Sequence, residues 1–326
     1  MAEQPSESKA PVTPNPDQIK AFAAWLPTLG QVQPFSFHGI PELFPAVGQP
    51  GTLESFFLNA AHQFGFWTSK EGRYDQPMIA TVDGVARKGS DYLFYCFQRA
   101  LNADPEIFFP HRLVDMSIPE LDRLFHDDTG RNPLPMWDEH AELIRAYARW
   151  FVEHNQTPAD LLALANAAER PLQTFLELVG QVPGYAEDPL RKKLMLLAVI
   201  LENRPERFLR VSDPESGVPI IDYHLQRSAL RTGLVEVQDP ILREKLVDRR
   251  NVSEREEEAV RTATYTAIAD LVQRSGLSVA AIDYFFFTNR TRCPEMAEPK
   301  CEECPVQTIC KQRKDLFQPV HRTTAY

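Results

Sequence analysis

The sequence predicts a mainly α-helical protein of two packed helical subdomains with one small β-hairpin. Three observations carry that expectation. From Ile118 onward, apolar residues recur at helical spacing in one segment after another. Asp83-Gly84 stands between two short β-prone runs, Pro77 to Val82 and Val85 to Arg87, which is a strong hairpin signal. Four cysteines gather near the C-terminal end, where a ligand-pinned loop is expected.

Taken in order, Gln18 to Leu29 reads as a short helix, and Leu53 to Trp67 as a second. Leu53, Phe56, Phe57, Ala60 and Phe64 set the periodicity of the second. Its end, Phe64-Gly65-Phe66-Trp67, reads either as core or as a stacking wall for a flat heterocycle. After the hairpin comes a helix from Tyr92 to Leu101, with Asp91 placed as an N-cap. Further helices are expected over Ile118–Phe125, Trp137–Glu153, Pro158–Ala168, Pro171–Leu178, Leu190–Leu201, Ile241–Val247, Glu254–Arg274 and Val279–Phe287. The acidic turn His126-Asp127-Asp128-Thr129-Gly130 reads first as structural, since Asp and Gly are turn formers. The domain boundaries expected are a disordered lead over 1–19, a helical subdomain with the hairpin over 20–130, a helical domain over 131–292, and a cysteine loop with tail over 293–326.

Composition excludes some functions. The chain has 326 residues and a net charge of −10. Its pI is about 5.4. Generic duplex binding needs clustered Lys and Arg, so the balance favours a small-molecule nucleotide over nucleic acid. No apolar run is long enough to span a membrane. The first 19 residues hold four prolines and no apolar signal-peptide core. Five cysteines, four of them clustered, point to a metal site in a reducing, cytoplasmic compartment rather than to disulfides.

The chemistry centres on Ile221 to Gly233. Asp222 sits where a helix can begin and Gly233 where one can end. Arg227 and Arg231, four apart, share one face of that helix. Asp222 reads as an N-cap, as a catalytic carboxylate, or as both. Downstream, Cys293, Cys301, Cys304 and Cys310 give Cys-x7-Cys-x2-Cys-x5-Cys. Four thiolates suit a [4Fe–4S] cluster or, less well, zinc, whose ribbons usually pair two Cys-x2-Cys knuckles. Cys96 stands apart on an apolar helix and reads as core.

The spelling Asp222-x-His224-x-x-Arg227-x-x-x-Arg231, followed by that cysteine loop, resembles the helix-hairpin-helix base-excision glycosylases of the endonuclease III type. Their iron–sulfur loop is Cys-x6-Cys-x2-Cys-x5-Cys, one residue shorter in the first gap. The resemblance implies a glycosylase-like C-terminal half and makes Asp222 the carboxylate beside the sugar carbon. The hairpin glycines of the DNA enzymes are missing, and Pro183-Gly184 runs into an acidic segment instead.

Over about Leu53 to Tyr326 the chain also resembles the queuosine-salvage family, which releases queuine from queuosine 5′-monophosphate. Phe64-Gly65-Phe66-Trp67 is similar to that family's Asn-Phe-Ser-Phe-Trp, and His126-Asp127-Asp128-Thr129 to its Arg-Ser-Asp-Thr. Asp222-Tyr223 resembles its Asp-Tyr-Arg, Ile282-Asp283-Tyr284 its Leu-Asp-Tyr, and Pro319-Val320-His321-Arg322 its closing Pro-Phe-His-Arg. The family's Gly-Tyr-Trp-Ser becomes Gly89-Ser90-Asp91-Tyr92, and the cysteine loop is an insertion. The resemblance implies an N-glycosidase acting on a 7-deazaguanine nucleotide, with Asp222 catalytic. It makes Phe66 and Trp67 stacking candidates, Asp128 a partner for the base, and His321 and Arg322 partners for a 5′-phosphate. Asp91, His224 and Arg227 are further candidate substrate contacts. The alternatives are an iron–sulfur glycosylase acting on DNA or RNA, and a catalytically silent iron–sulfur nucleotide-binding protein.

Overall fold

The computed structural model describes residues 10–30, 32–71, 73–317 and 321–326. Helices dominate, as expected, and the chain divides into two compact units. One comprises residues 1–33, 71–74 and 221–321; the other comprises 34–70, 75–220 and 322–326.

The first unit begins with strand β1 (Val12–Pro14) and helix α1 (Pro16–Trp25). Asn15 caps α1 by accepting from the Gln18 backbone N–H. The described part of the expected disordered lead is therefore ordered from Val12, and residues 1–9 lie outside the described residues. The helix expected to run to Leu29 ends at Trp25 and tightens into a 3-10 turn over Leu26–Leu29, where Pro27 removes a donor. Helix α10 (Tyr223–Thr232) leads to β6 (Val235–Val237), α11 (Pro240–Val247), α12 (Glu254–Ser275) and α13 (Val279–Asn289). β6 pairs antiparallel with β1, Thr13 opposite Glu236. Its core joins Phe22 of α1, Leu225 and Leu230 of α10, Ile268 of α12 and Phe286 of α13. Val306 and Leu316, from either side of the last cysteine, belong to the same core. Burying side chains of this size contributes about 1.5–3 kcal/mol each.

The second unit carries α2 (Thr52–Ala61), strand β2 (Trp67–Lys70), strand β3 (Arg73–Pro77) from Asp75 onward, and the hairpin β4 (Ile79–Val82) to β5 (Val85–Lys88). Helices follow as α3 (Gly89–Ala103), α4 (Pro110–Leu113), α5 (Ile118–Arg123), α6 (Trp137–Glu153), α7 (Pro158–Ala167), α8 (Pro171–Val179) and α9 (Lys192–Asn203). The hairpin register is the one expected, with Val82 opposite Val85 across Asp83-Gly84. The expected helix over Leu53–Trp67 is corrected: it stops at Ala61. Two buried lysines of α9 close its C-terminal end, Lys193 Nζ donating to Ala61 O (3.0 Å) and Lys192 Nζ to Gln63 O (3.4 Å). Gly65 then turns with φ +73°, so Trp67 opens a strand. Asp91 is no cap either; α3 starts at Gly89, and Asp91 lies exposed in its first turn. A carboxylate there complements the positive helix end.

Candidate active site

Asp222 begins α10 in extended backbone and is partly exposed. Its Oδ1 accepts from His224 N (2.8 Å) and Leu225 N (3.0 Å). Among the described residues its Oδ2 accepts no hydrogen bond. The carboxylate is thus an N-cap with one oxygen and open with the other. Fixing Oδ1 orients the whole group, because both oxygens turn with one torsion. Beneath it, Arg261 of α12 donates to the carbonyl of Ile221 (3.2 Å), the residue before Asp222. One turn along α10, buried Gln226 donates to Glu257 of α12 (2.9 Å). These buried polar bonds hold the start of α10 more tightly than apolar packing alone would.

His224 is buried, with Tyr223 against its ring (4.1 Å between centroids) and Phe287 edge-on (5.9 Å). Burial lowers its pKa, favouring the neutral imidazole. Its Nδ1 lies 2.9 Å from Arg227 and 3.2 Å from Glu295. Glu295 carries no functional signal in the sequence. It stands two residues after Cys293, and only the folded loop brings it to α10.

The four cysteines line one pocket together with Arg231, Asn289 and Lys314. Arg231 donates to Cys293 Sγ (3.3 Å), Asn289 to Cys304 Sγ (3.4 Å), and the Gln312 backbone to Cys310 Sγ (3.3 Å). Such donors favour thiolates. Burial pushes the Cys310 thiol up to about 11 and raises that of Cys301, so without a ligand ion both stay protonated at neutral pH. Among the described residues no group of three or more His, Cys, Asp or Glu side chains is arranged to hold a metal ion. A single zinc at about 2.3 Å from each sulfur needs convergence, whereas four irons between the thiolates need room. Four cysteine sulfurs lining one pocket are a donor set that a [4Fe–4S] cluster or a zinc ion could take. The loop is docked on α10 as well: Lys311 N donates to Thr232 O (3.1 Å) and Arg313 N to Arg231 O (2.9 Å), satisfying end carbonyls of that helix.

Phe66, Trp67, Asp91, Asp128 and Arg322 belong to the other unit. Phe66 and Trp67 are both buried. Arg322 pairs with Glu139. His321 is partly buried in the first unit, while Pro319 and Val320 lie outside the described residues. Asp128 has an evident structural task. Its two oxygens accept from Asp83 N (2.7 Å) and Gly84 N (2.9 Å), closing the hairpin turn. Asp128→Ala is expected to destabilise the protein by about 1–2 kcal/mol, since two N–H groups lose their partner. Urea titration checks this; an unchanged midpoint would leave Asp128 with no task in the hairpin.

The second unit also holds a feature the sequence did not suggest. His62 and His140 are fully buried and face each other Nδ1 to Nδ1 at 2.7 Å. His140 stacks on Phe64 (4.0 Å), and Lys193 lies over that Phe ring (5.0 Å).

Comparison with known proteins fits this picture in part. Residues 45–192 match the family described as queuosine salvage protein. That bears out the resemblance read from the sequence over this stretch. Asp222 and the cysteines lie beyond the matched stretch. No curated protein matches the chain. Among solved structures, one titled as a trapped endonuclease III–DNA covalent intermediate, an estranged-adenine complex, is similar with a TM-score of 0.44 and 14% identity. The alignment covers 91% of this chain and 93% of that one. Among the described residues no helix is long and apolar enough to cross a membrane.

Proposed function

We propose that this protein is an N-glycosidase that hydrolyses the base–ribose bond of queuosine 5′-monophosphate or a close 7-deazaguanine nucleotide, with Asp222 as its catalytic carboxylate. The observation that carries the proposal is the divided carboxylate: Oδ1 is anchored by two backbone N–H groups, and among the described residues Oδ2 accepts no hydrogen bond. The match of residues 45–192 to the queuosine-salvage family supports this choice of substrate class.

Cleavage of an N-glycosidic bond builds positive charge on the sugar. A fixed anion at the sugar's face stabilises that charge, and either adds to the carbon or directs a water to it. Ordinary purines leave more readily once N7 is protonated. A 7-deazapurine has carbon there, so more of the work falls on the carboxylate. Asp222 is suited to it, because its orientation is set before substrate arrives. Incubating the purified protein with queuosine 5′-monophosphate should yield free base, read by mass. No free base from that nucleotide or its nucleoside would refute the proposal.

The same reading places a [4Fe–4S] cluster on Cys293, Cys301, Cys304 and Cys310. Four protein ligands leave no open position, so the group supplies a structural clasp for the C-terminal segment. That segment in turn holds the end of α10. Protein purified anaerobically should be brown and absorb broadly into the visible. A colourless preparation with stoichiometric zinc would replace the cluster with zinc.

A further inference from the structure

We propose that Arg227 and Glu295 are positioning residues that hold His224 as its Nε2–H tautomer, so that the helix begun by Asp222 presents a neutral hydrogen-bond donor to an oxygen acceptor of the ligand. The effect on turnover rests on the function proposed above; the tautomer does not.

A neutral imidazole carries one N–H, and the neighbours of its nitrogens decide which bears it. Two groups compete at Nδ1. The Arg227 guanidinium lies 2.9 Å away, and the Glu295 carboxylate 3.2 Å away. A guanidinium only donates and an ionised carboxylate only accepts. A proton on Nδ1 would therefore set two N–H donors against each other at 2.9 Å. A bare Nδ1 gives Arg227 its acceptor. Arg227 also lies 3.4 Å from Glu295 and forms an ion pair with it. The arrangement is nearly dry: Arg227 is 1% exposed and Glu295 7%. No water layer separates these groups and relaxes the choice.

With Nδ1 occupied, the proton sits on Nε2, which has no hydrogen-bond partner among the described residues. Tyr223 and Phe287 fix the ring plane, so the direction of that N–H is fixed too. Glu295 reaches this place from the cysteine loop, two residues after Cys293. The loop thereby contributes a polar group to α10 besides pinning its end. His224 acts here as a donor, not as a base.

The tautomer can be read directly. Protein labelled with 15N at histidine, in its holo form, is studied at pH 7.5 by long-range 1H–15N correlation. The signal lost in His224→Gln identifies the residue. The expected pattern is a bare Nδ1 and a protonated Nε2. Arg227→Met should reverse it, leaving Nδ1–H to donate to Glu295, and should slow base release at least tenfold. A protonated Nδ1 in the wild type, or a pattern unchanged in Arg227→Met, overturns the proposal. So does a reversed tautomer with undiminished turnover. The wild-type spectrum decides the tautomer even if the variant fails to fold. It also does so if the protein releases no base, in which case the function proposed above fails by itself.

Discussion

Asp222→Asn should fold like the wild type, still bind substrate, and release base at least a hundredfold more slowly. The substitution separates the capping role of the carboxylate from its proposed catalytic one. The amide oxygen of Asn can accept from His224 N and Leu225 N as Oδ1 does now, and Asn is as good a cap as Asp. Stability should therefore change by less than about 1 kcal/mol. What disappears is the negative charge on the free oxygen. A hundredfold loss corresponds to about 2.7 kcal/mol of transition-state stabilisation, the size found when one preorganised electrostatic group is removed. A companion variant, Asp222→Ala, should lose both: turnover as before, and about 1 kcal/mol of helix capping.

The second large effect is acid destabilisation, with its source in the His62–His140 pair. Both rings are fully buried, and desolvation lowers both pKa values, that of His140 to about 3. The sign follows from proton counting. Below the ordinary value of about 6.5 the unfolded chain takes up protons that the folded chain refuses. Stability is thus complete above about pH 6.5 and falls as pH drops toward 3. For His140 alone the loss between pH 6.5 and 5 is about 2 kcal/mol, at 1.36 kcal/mol per unit. His62 and His224 act in the same direction, since burial lowers them too. Glu54 and Glu202 oppose them, because burial raises both carboxyls and favours the protonated fold. Thermal melts across pH 7 to 5 should show a steady fall in Tm. Replacing His140 by Phe should flatten it. A wild-type Tm that is level over this range would mean that the pair charges as freely in the fold as outside it.

What the sequence could reveal depended on how local each cause was. Helix α10 was legible from end to end, because Asp222 and Gly233 are its own cap and stop. Helix α6 was placed at Trp137–Glu153 and the hairpin at Asp83-Gly84 for the same reason: periodicity and turn chemistry act within a few residues. The end of α2 was not legible. Its apolar spacing continues to Phe64, and what stops it is a pair of lysines some 130 residues later, at Lys192 and Lys193. The ladder of β1 on β6 likewise joins Val12 to Val237. At the site, residue types were readable and their mutual geometry was not. Asp222 and the four cysteines stand out as candidates by spelling and spacing. Glu295 did not, since an acidic residue in an acidic loop carries no signal until the fold brings it to His224. Asp128 shows the reverse case. Its turn chemistry suggests a structural role and its family resemblance a base contact; its bonds to Asp83 and Gly84 give it a structural task, with partners some 45 residues away that turn chemistry alone does not name.

The central claim is that the charge of Asp222, not its capping bonds, drives base release. Single-turnover release from queuosine 5′-monophosphate, measured for wild type and Asp222→Asn beside a thermal melt of each preparation, tests it most directly. The expected result is a rate lower by a hundredfold or more at an almost unchanged Tm. Release by the Asn variant within a few-fold of wild type, at the same Tm, would contradict the account and leave Asp222 as a helix cap alone.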